Sequence, residues 1–537
     1  MTAVPGATSR RDTSGVAQQD AHVLAVDLGT GGPKVALVST AGRVAASAFE
    51  PVATNLLPGG GAEQDPAAWW AAVTGAARRV LAEGGVPAEQ VVGVGCTAQW
   101  SGTVAVDEDG TPLRPAVIWM DSRGAEAITR QTGGVLSVLG YDVRKLRRWI
   151  RLTAGVPGHS GKDPTAHILW IREAEPDVYR RTHKFLEPVD WLNLRLTGRF
   201  AASYDSITVH WVTDNRTIGS VAYDDTLMRM AGLERAKLPD LVPSATIMGH
   251  LAPEAAAALG LLPGTPVSTG TGDLHSAAVG SGAVASFDAH LYIGTSSWIS
   301  CHVPFKKTDA LRNVASIPAA LPDRYLVADE HETAGACLTF LADVLGEEHG
   351  GATYRRLDEV AASVPPGAHG AMFTPWLNGE RSPVDDHMIR GGFHNLSLTT
   401  TRDDLVRAVY EGVALNSRWL LEAVDHFVGR RIESLAFVGG GASSDVWAQI
   451  HADVTGRRIR PVLEPVLANV RGAGLLALVA LGRVRVDDIP AMVQTRSSFD
   501  PDPANRRLYD LLFEEFVKLY KQTKGIHRRL NRGRPTP

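Results

Sequence analysis

Two short turns constrain the fold of this chain more than any other feature. The apolar run His22–Asp27 enters Leu28-Gly29-Thr30-Gly31-Gly32 and leaves directly into Lys34–Ser39. Much later, His290–Ile293 enters Gly294-Thr295-Ser296-Ser297 in the same manner. Turns this short join antiparallel neighbours, because a parallel pair needs a crossover of a dozen or more residues. A third run, Val44–Phe49, follows the Ala41-Gly42-Arg43 turn, so the chain opens as a β-meander and not as a βαβ unit. Asp65-Pro66 then supplies an N-cap and a first-turn proline. Trp69, Val73, Ala77 and Val80 follow at helical spacing, and Val91–Gly95 is the next strand. The repeated Gly-Thr turn predicts two weakly similar halves with a boundary near Ala283.

The segment Val143–Leu262 reads as mostly helical, and Pro263-Gly264 introduces a strand that ends at Gly270-Thr271-Gly272-Asp273. In the second half a long amphipathic helix covers Arg402–His426. A strand at Ser434–Val438 enters Gly439-Gly440-Gly441-Ala442, and a helix follows through Val446, Ile450 and Val454. Gly474–Gly482 is the most apolar stretch. It is half the ~20 residues a membrane span needs, so it reads as a buried helix. The first twenty residues are polar, carry Arg10 and Arg11 and have no apolar core, which excludes a signal peptide and suggests a loose tail. Lys521–Pro537 reads as a second, basic tail. The domain expectation is therefore 1–20 tail, 21–283 first domain, 284–520 second domain and 521–537 tail.

Composition narrows the function classes. Of 537 residues, 44% are hydrophobic and 21% charged, as in globular proteins, and the net charge of −4 makes nucleic acid a poor partner. Three dispersed cysteines, Cys96, Cys301 and Cys337, support neither a disulfide framework nor a zinc cluster, and suit a reducing, cytoplasmic setting.

Five constellations could carry chemistry, each with a structural alternative. In Asp27-Leu28-Gly29-Thr30-Gly31-Gly32-Pro33-Lys34, glycines would let the backbone approach a phosphate. Thr30 would donate, Lys34 would add charge and Asp27 could hold Mg²⁺. The P-loop pattern is absent, and an ordinary hairpin turn is the alternative. Gly294-Thr295-Ser296 is a second such loop. Gly439-Gly440-Gly441-Ala442, between a strand and a helix, suits the phosphate or ribose region of a nucleotide, or is simply a packing turn. Its late position and spacing disfavour a dehydrogenase. Asp273, at a glycine-flanked strand end, could serve as base toward a bound hydroxyl, or cap the following helix. Gln99-Trp100-Ser101, with Asp121 and Arg123 shortly after, offers the hydrogen-bonding groups and flat apolar face a polyol needs. The alternative is a buried Trp and a structural Asp–Arg pair. Metal ligation by His331 in Asp329-Glu330-His331-Glu332 lacks any supporting His or Cys pattern.

The order of these motifs is more specific than any one of them. Together with Ile118–Arg123, Asn378-Gly379-Glu380-Arg381-Ser382-Pro383 and Arg407–Asn416, they resemble the FGGY carbohydrate kinases, most closely the xylulokinase-like members, over His22 to Leu519. The resemblance implies an α/β fold of two ribonuclease H-like domains of the actin/hexokinase/Hsp70 superfamily, with a central nucleotide cleft. It implies ATP and Mg²⁺ as cofactors and a small sugar, most simply a ketopentose, as acceptor. Asp273 then corresponds to the catalytic base, and Asp27, with Asp273, to the Mg²⁺ side. Gly29, Thr30, Gly31 and Lys34 correspond to the first phosphate loop, Gly294, Thr295 and Ser296 to the second, and Gly439–Ala442 to the nucleoside loop. Gln99, Trp100, Ser101, Asp121, Arg123 and Asp273 fall on the acceptor side. No nucleic acid or membrane partner is implied, and a homodimer is the assembly considered.

Three departures stand out. Xylulokinases usually read Gln-Met-His-Gly where this chain has Gln99-Trp100-Ser101-Gly102, and Asp-Asn where it has Asp273-Leu274. Losing a His and an Asn removes polar partners from the acceptor, and Trp100 takes more room than Met, so a native substrate other than D-xylulose is an expectation. Asn395 replaces a glycine, a change expected to be neutral because Asn tolerates left-handed backbone. A reading from another class is a nucleotide-driven conformational protein of the same fold with degenerate sugar chemistry, kept open by Ser101 and Leu274.

Overall fold

A computed structural model describes residues 21–532. The N-terminal tail expected over residues 1–20 lies outside it, as do residues 533–537. Each half is built on one large mixed sheet. In the first, β1 (His22–Gly29) pairs antiparallel with β2 (Gly32–Ser39) and β2 with β3 (Val44–Phe49). Helix α1 (Pro66–Gly84) starts at Asp65, whose carboxylate accepts from Ala67 N–H at 2.9 Å, and leads to β4 (Val91–Ala98), parallel to β1. An inserted region carries α2 (Val143–Thr153), α3 (Pro164–Ala174) and α4 (Pro188–Thr197), with short two-stranded pairs between helices. The chain returns through β5 (Ile247–His250), β6 (Pro266–Ser268) and β7 (Thr271–Gly272), the last two parallel to β4, and closes with α5 (Asp273–Gly280).

The second sheet repeats this plan. β8 (Ala289–Ile293) pairs antiparallel with β9 (Ser297–Val303), and β10 (Thr308–Asp309), β11 (Val314–Pro318) and β12 (Tyr325–Ala328) complete its outer side. The long helix α6 (Arg402–Val428), opened by a capping box of Thr401 and Asp404, returns the chain to β13 (Ser434–Val438), parallel to β8. Helix α7 (Asp445–Thr455) leads to β14 (Arg458–Pro461), parallel to β13. β8, β9 and β13 thus stand to one another as β1, β2 and β4 do, so the repeat suggested by two turns extends to the sheets.

The two halves meet through helices. α8 (Ala468–Ala480) belongs to the second half by sequence order but lies against α5, β1 and β4 of the first. The approach is close enough to require glycine. A Cβ on Gly280 would fall 1.8 Å from Ala468 O, and one on Gly472 1.9 Å from Ser276 O. The apolar stretch around Gly474 is this helix, and it is buried as expected. Among the described residues no helix is long and apolar enough to cross a membrane.

Two expectations need correction. Lys521 does not begin a tail. Helix α9 (Arg506–Asn531) continues through it, because Tyr509, Phe513, Phe516 and Tyr520 bury one face, Phe516 and Tyr520 against Trp376 and Trp419. Asn531 Nδ2 then ties the last turn to Met388 O at 2.9 Å. The glycine loop after β13 does not run straight into a helix N-terminus either. A 3₁₀ turn, Gly440–Ser443, intervenes, and α7 starts at Asp445 because Ser444 Oγ accepts from Trp447 N–H at 3.0 Å. Asn395 has φ of 57°, the left-handed conformation expected where a glycine is usual, and its amide donates to Gly370 O at 2.9 Å.

Candidate active site

The cleft chemistry is assembled at the ends of β1, β4 and β7, where the parallel strands stop together. Asp27 on β1 faces Lys34 on β2 across the hairpin, Nζ to Oδ2 3.6 Å. The Asp27 carboxylate is almost wholly buried and its Oδ1 has no partner. Burial holds its pKa above the usual carboxylate range, with Lys34 opposing. An orphaned buried carboxylate oxygen is costly unless a ligand satisfies it, and a hard cation suits it.

Asp273 is the first residue of α5, with Gly272 at the N-cap, so it is not the cap that local sequence allowed. Its Oδ1 accepts from Leu274 N–H at 2.9 Å. Burial pushes its pKa up to about 7, with the charges of Asp27 and Glu330 adding and the Leu274 N–H opposing. Asp273 lies close enough to Asp27 to feel its charge, and with a pKa of about 7 it can accept a proton near neutrality.

The first turn keeps its shape through glycine and a polar relay. A Cβ on Gly32, at φ of 132°, would sit 2.0 Å from Glu50 O, whereas Gly31 has open space around it. Thr30 Oγ1 donates to Gln99 Oε1 at 3.2 Å and accepts from Trp119 Nε1 at 2.9 Å, and Thr30 O accepts from Gln64 Nε2 at 2.7 Å. Gln99 Nε2 donates to Gln64 Oε1 at 2.8 Å. Gln99 is therefore spent inside, holding the loop, and is not offered to an acceptor. Gln64 and Trp119 do the same work; nothing in local sequence singled out Gln64. In the second turn Thr295 is exposed, and Gly294 must be glycine because a Cβ would meet the Tyr292 ring at 2.7 Å. In the third loop Gly439 and Gly441 pack against Ile293, Ala442 is buried, and only Gly440 stands open. The second and third loops meet at the ends of β8 and β13, where Gly439 and Gly441 reach Ile293.

The acceptor side divides. Asp121 is buried and accepts from Ala62 N–H at 2.8 Å and from Arg123 N–H at 2.9 Å and its guanidinium at 2.6 Å. Arg123 also pairs with Glu63 and stacks 3.7 Å from the Trp170 ring centroid. That is the structural Asp–Arg pair of the alternative reading, and it ties the Asp121–Arg123 turn to the segment Ala62-Glu63. Trp100 and Ser101 lie next to Asp273: the Trp100 ring fills the space where a Gly272 Cβ would stand, 3.0 Å away, and packs edge-on to His275. Leu274 is buried in an apolar cluster with Trp298, and Trp100 packs against it.

Sequence reasoning passed over a charged bridge between the halves. Arg381 pairs with both Glu330 and Glu332, and Lys162 Nζ lies 3.2 Å from Glu332 Oε1. Asn378 Nδ2 also donates to Glu332, at 3.1 Å. Burial pushes the Glu332 carboxyl up, but Arg381 and Lys162 outweigh it and hold the pKa down to about 2. The Asn378–Pro383 motif and the Glu330–Glu332 run were visible in the sequence as separate features. Their joint role appears only when the fold brings them beside Lys162.

Two ribonuclease H-like halves with a carboxylate pair between them and three glycine loops at the rim define a phosphotransferase of the actin/hexokinase-like class. Comparison with known proteins agrees. The sequence model of the FGGY family of carbohydrate kinases, N-terminal domain, matches residues 22–280, and that of the C-terminal domain matches residues 289–481. The chain belongs to the FGGY family of carbohydrate kinases and is a sugar phosphotransferase with ATP as donor. It is 29% identical to xylulose kinase of Escherichia coli over 93% of this chain and 98% of that one, and 28% identical to L-xylulose/3-keto-L-gulonate kinase of the same organism, over 94% and 98%. The crystal structure of a xylulose kinase from Brucella ovis superimposes with a TM-score of 0.83 at 26% identity, covering 94% of this chain and all of that one.

Proposed function

We propose that the protein transfers the γ-phosphate of ATP to a hydroxyl of a small ketose, most simply a ketopentose such as D-xylulose, giving xylulose 5-phosphate. The observation that carries this reading is Asp273, the first residue of α5 directly after β7, whose carboxyl is pushed up to about 7 by burial and then by the charge of Asp27. In this reading the acceptor hydroxyl gives its proton to the Asp273 carboxylate, its oxygen bonds to the γ-phosphorus, and the bond from that phosphorus to the ADP oxygen breaks. Backbone N–H groups of Gly29–Gly31 and Gly294–Ser296 hold the phosphates, Lys34 adds charge, and Gly440 lies beside the nucleoside.

Mg²⁺ fits the same site. Asp27 Oδ1 is buried without a partner and offers the hard oxygen donor the ion prefers, which leaves the Asp273 carboxyl for the acceptor proton. When bound, the ion neutralises charge on the triphosphate. The three cysteines are free and buried, which fits a cytoplasmic setting, and a homodimer is compatible with the chain.

The test is ADP release by the purified full-length protein over ketopentoses, polyols, hexuloses and sugar acids. A ketose that raises ATP turnover well above the sugar-free rate supports the reading. ATP turnover indifferent to every acceptor would instead favour the conformational protein of the same fold.

A further inference from the structure

The acceptor side has lost polar groups, and what remains at the expected positions is already committed. Trp100 Nε1 donates to Ser206 O at 2.9 Å, Ser101 Oγ donates to Lys162 O at 3.1 Å, and Leu274 lies in an apolar cluster. A polyhydroxy acceptor bound there would find few partners, and each unpaired hydroxyl would weaken binding.

The bond from Ser101 brings in another segment. It fastens the loop Pro157–Asp163 to the end of β4, and the loop ends in Lys162 and Asp163. Asp163 Oδ2 accepts from Gly158 N–H at 2.5 Å and from Trp211 Nε1 at 3.0 Å, so the carboxylate is fixed in direction. The residue as a whole keeps some exposure, although its carboxyl lies deep enough for burial to dominate its pKa. Ser101 and Trp211, which grip the loop from either side, both have positive φ without being glycine, 65° and 57°. Such backbone persists only where its surroundings over-determine it, and it gathers at functional sites. Lys162 is anchored across the cleft on Glu332, and the Glu330 next to it is close enough to Asp273 to raise that carboxyl.

We propose that Asp163 is the acceptor-binding residue that stands in for the missing His and Asn, accepting hydrogen bonds from sugar hydroxyls, and that this site takes neutral polyhydroxy acceptors and rejects sugar acids. This rests on the kinase reading given above. The charge inventory carries the second clause. Asp163, Asp273, Glu330 and Glu332 are four carboxylates, and the two cations among them, Lys162 and Arg381, are both engaged by Glu332. Among the described residues of this cluster neither cation is free to receive a substrate carboxylate, and Lys34, on β2, is paired with Asp27.

The protonation of Asp163 gives a readout. Burial pushes its pKa up to about 6, while Gly158 N–H, the Trp211 indole, Arg381 and Ser101 oppose. The other groups that face it are Glu187 from α4 and Tyr141, beside which it lies. A carboxylate accepts from hydroxyls in its charged form, so KM for the sugar should fall as pH rises through about 6.

The experiment measures KM for the best ketose and for ATP from pH 5 to 8, in the wild type and in Asp163→Asn, with xylitol binding followed by tryptophan fluorescence as a readout independent of turnover. Expected in the variant are a rise of tenfold or more in KM for the ketose, an unmoved KM for ATP, loss of the KM limb near pH 6 and weakened xylitol binding. D-gluconate should not stimulate ATP turnover in the wild type. Unchanged ketose KM and xylitol affinity in Asp163→Asn would overturn the assignment, as would gluconate turnover matching that of the ketose. If Asp163→Asn does not fold, Asp163→Ser serves: it removes the carboxylate with a smaller side chain, and retention of the wild-type ketose KM and xylitol affinity in it overturns the proposal equally. A wild type inactive on every acceptor but binding xylitol through Asp163 would count against the kinase reading and not against this site.

Discussion

Asp27 and Tyr292 stand two residues before the glycines that open their turns, Gly29 and Gly294, on strands with the same neighbours. Across the first hairpin Asp27 faces Lys34; across the second Tyr292 faces Trp298. The first pair is ionic, at 3.6 Å, and the second is an aromatic stack with ring centroids 3.9 Å apart and planes 4° from parallel. One backbone plan therefore carries charge in one half and an apolar wall in the other. The wall is not remote from the charge: Asp273 and Asp27 both raise the Tyr292 hydroxyl. In the kinase reading proposed above, the duplicated fold would supply two sets of backbone donors for phosphates, with proton chemistry on one side only. Desolvation is the largest cause of the raised pKa values of both carboxyls.

If proton chemistry is confined to the first half, the largest effect falls at Asp273. Asp273→Asn should lower sugar-dependent turnover by ~10³-fold, within the range a general base contributes, and leave ATP binding intact. In the wild type kcat should rise as pH rises through about 7, since the base works deprotonated. The linkage runs the other way for stability. The folded pKa lies above the unfolded value of 3.8, so the stability this group contributes is fully present below that pH and is lost as pH rises through about 7. Asp273→Asn should therefore melt no lower than wild type at pH 8. Near-normal turnover in the variant, measured by ADP release, removes Asp273 from the role of base.

Next comes the bridge that joins the halves. The Glu332 carboxyl is held at about 2 in the folded protein against 4.5 unfolded, so its stabilisation is present above pH 4.5 and is lost as pH falls toward 2. The shift corresponds to about 3 kcal/mol. Glu332→Gln should lower stability at pH 7 by that order and flatten the acid limb of the stability curve. Urea unfolding at pH 3.5, 5 and 7 measures this. Parallel acid limbs in the two proteins would show that the bridge does not tie the halves.

What the sequence disclosed follows the same asymmetry. The hairpins, α1, α6 and the parallel strand ends were legible because each depends on local turn chemistry and on the period of its apolar residues. Asp27 and Asp273 were legible because a nearby glycine marks a strand end in each case, Gly29 after Asp27 and Gly272 before Asp273. Gln99 was legible as a member of the site but not in its role, because its partners Thr30 and Gln64 lie far away in sequence. Asp121 was ambiguous for the same reason: an Asp-x-Arg beside a Trp reads alike on a sugar and in a scaffold until Glu63 and Ala62 are seen to complete it. The Lys162–Glu332–Arg381 bridge was invisible, since pairing between distant charges leaves no local signature. The helical end of α9 was missed because its basic residues suggested solvation while its aromatic face ended at Tyr520.

Within the first hairpin, Asp27→Asn should reduce turnover by about 10–100-fold, the range seen when a group supporting a metal is lost, and shift the Mg²⁺ requirement to higher concentration. A Mg²⁺ titration of turnover separates this from a general loss of fold. Unchanged Mg²⁺ dependence would detach Asp27 from the ion and leave it a partner of Lys34 alone.

The smallest effect belongs to the equivalent place in the second half. Tyr292→Phe removes the hydroxyl that faces the carboxyls and keeps the ring stacked on Trp298. If Tyr292 acts as a wall, turnover stays within about twofold and the kcat limb remains near pH 7, because burial and not a hydrogen bond from the phenol raises Asp273. Tyr292→Ala, which opens the wall to water, should move that limb to lower pH. A Tyr292→Phe protein that loses activity as Asp27→Asn does would make the phenol a partner in proton transfer, and the division of labour between the two hairpins would fail with it.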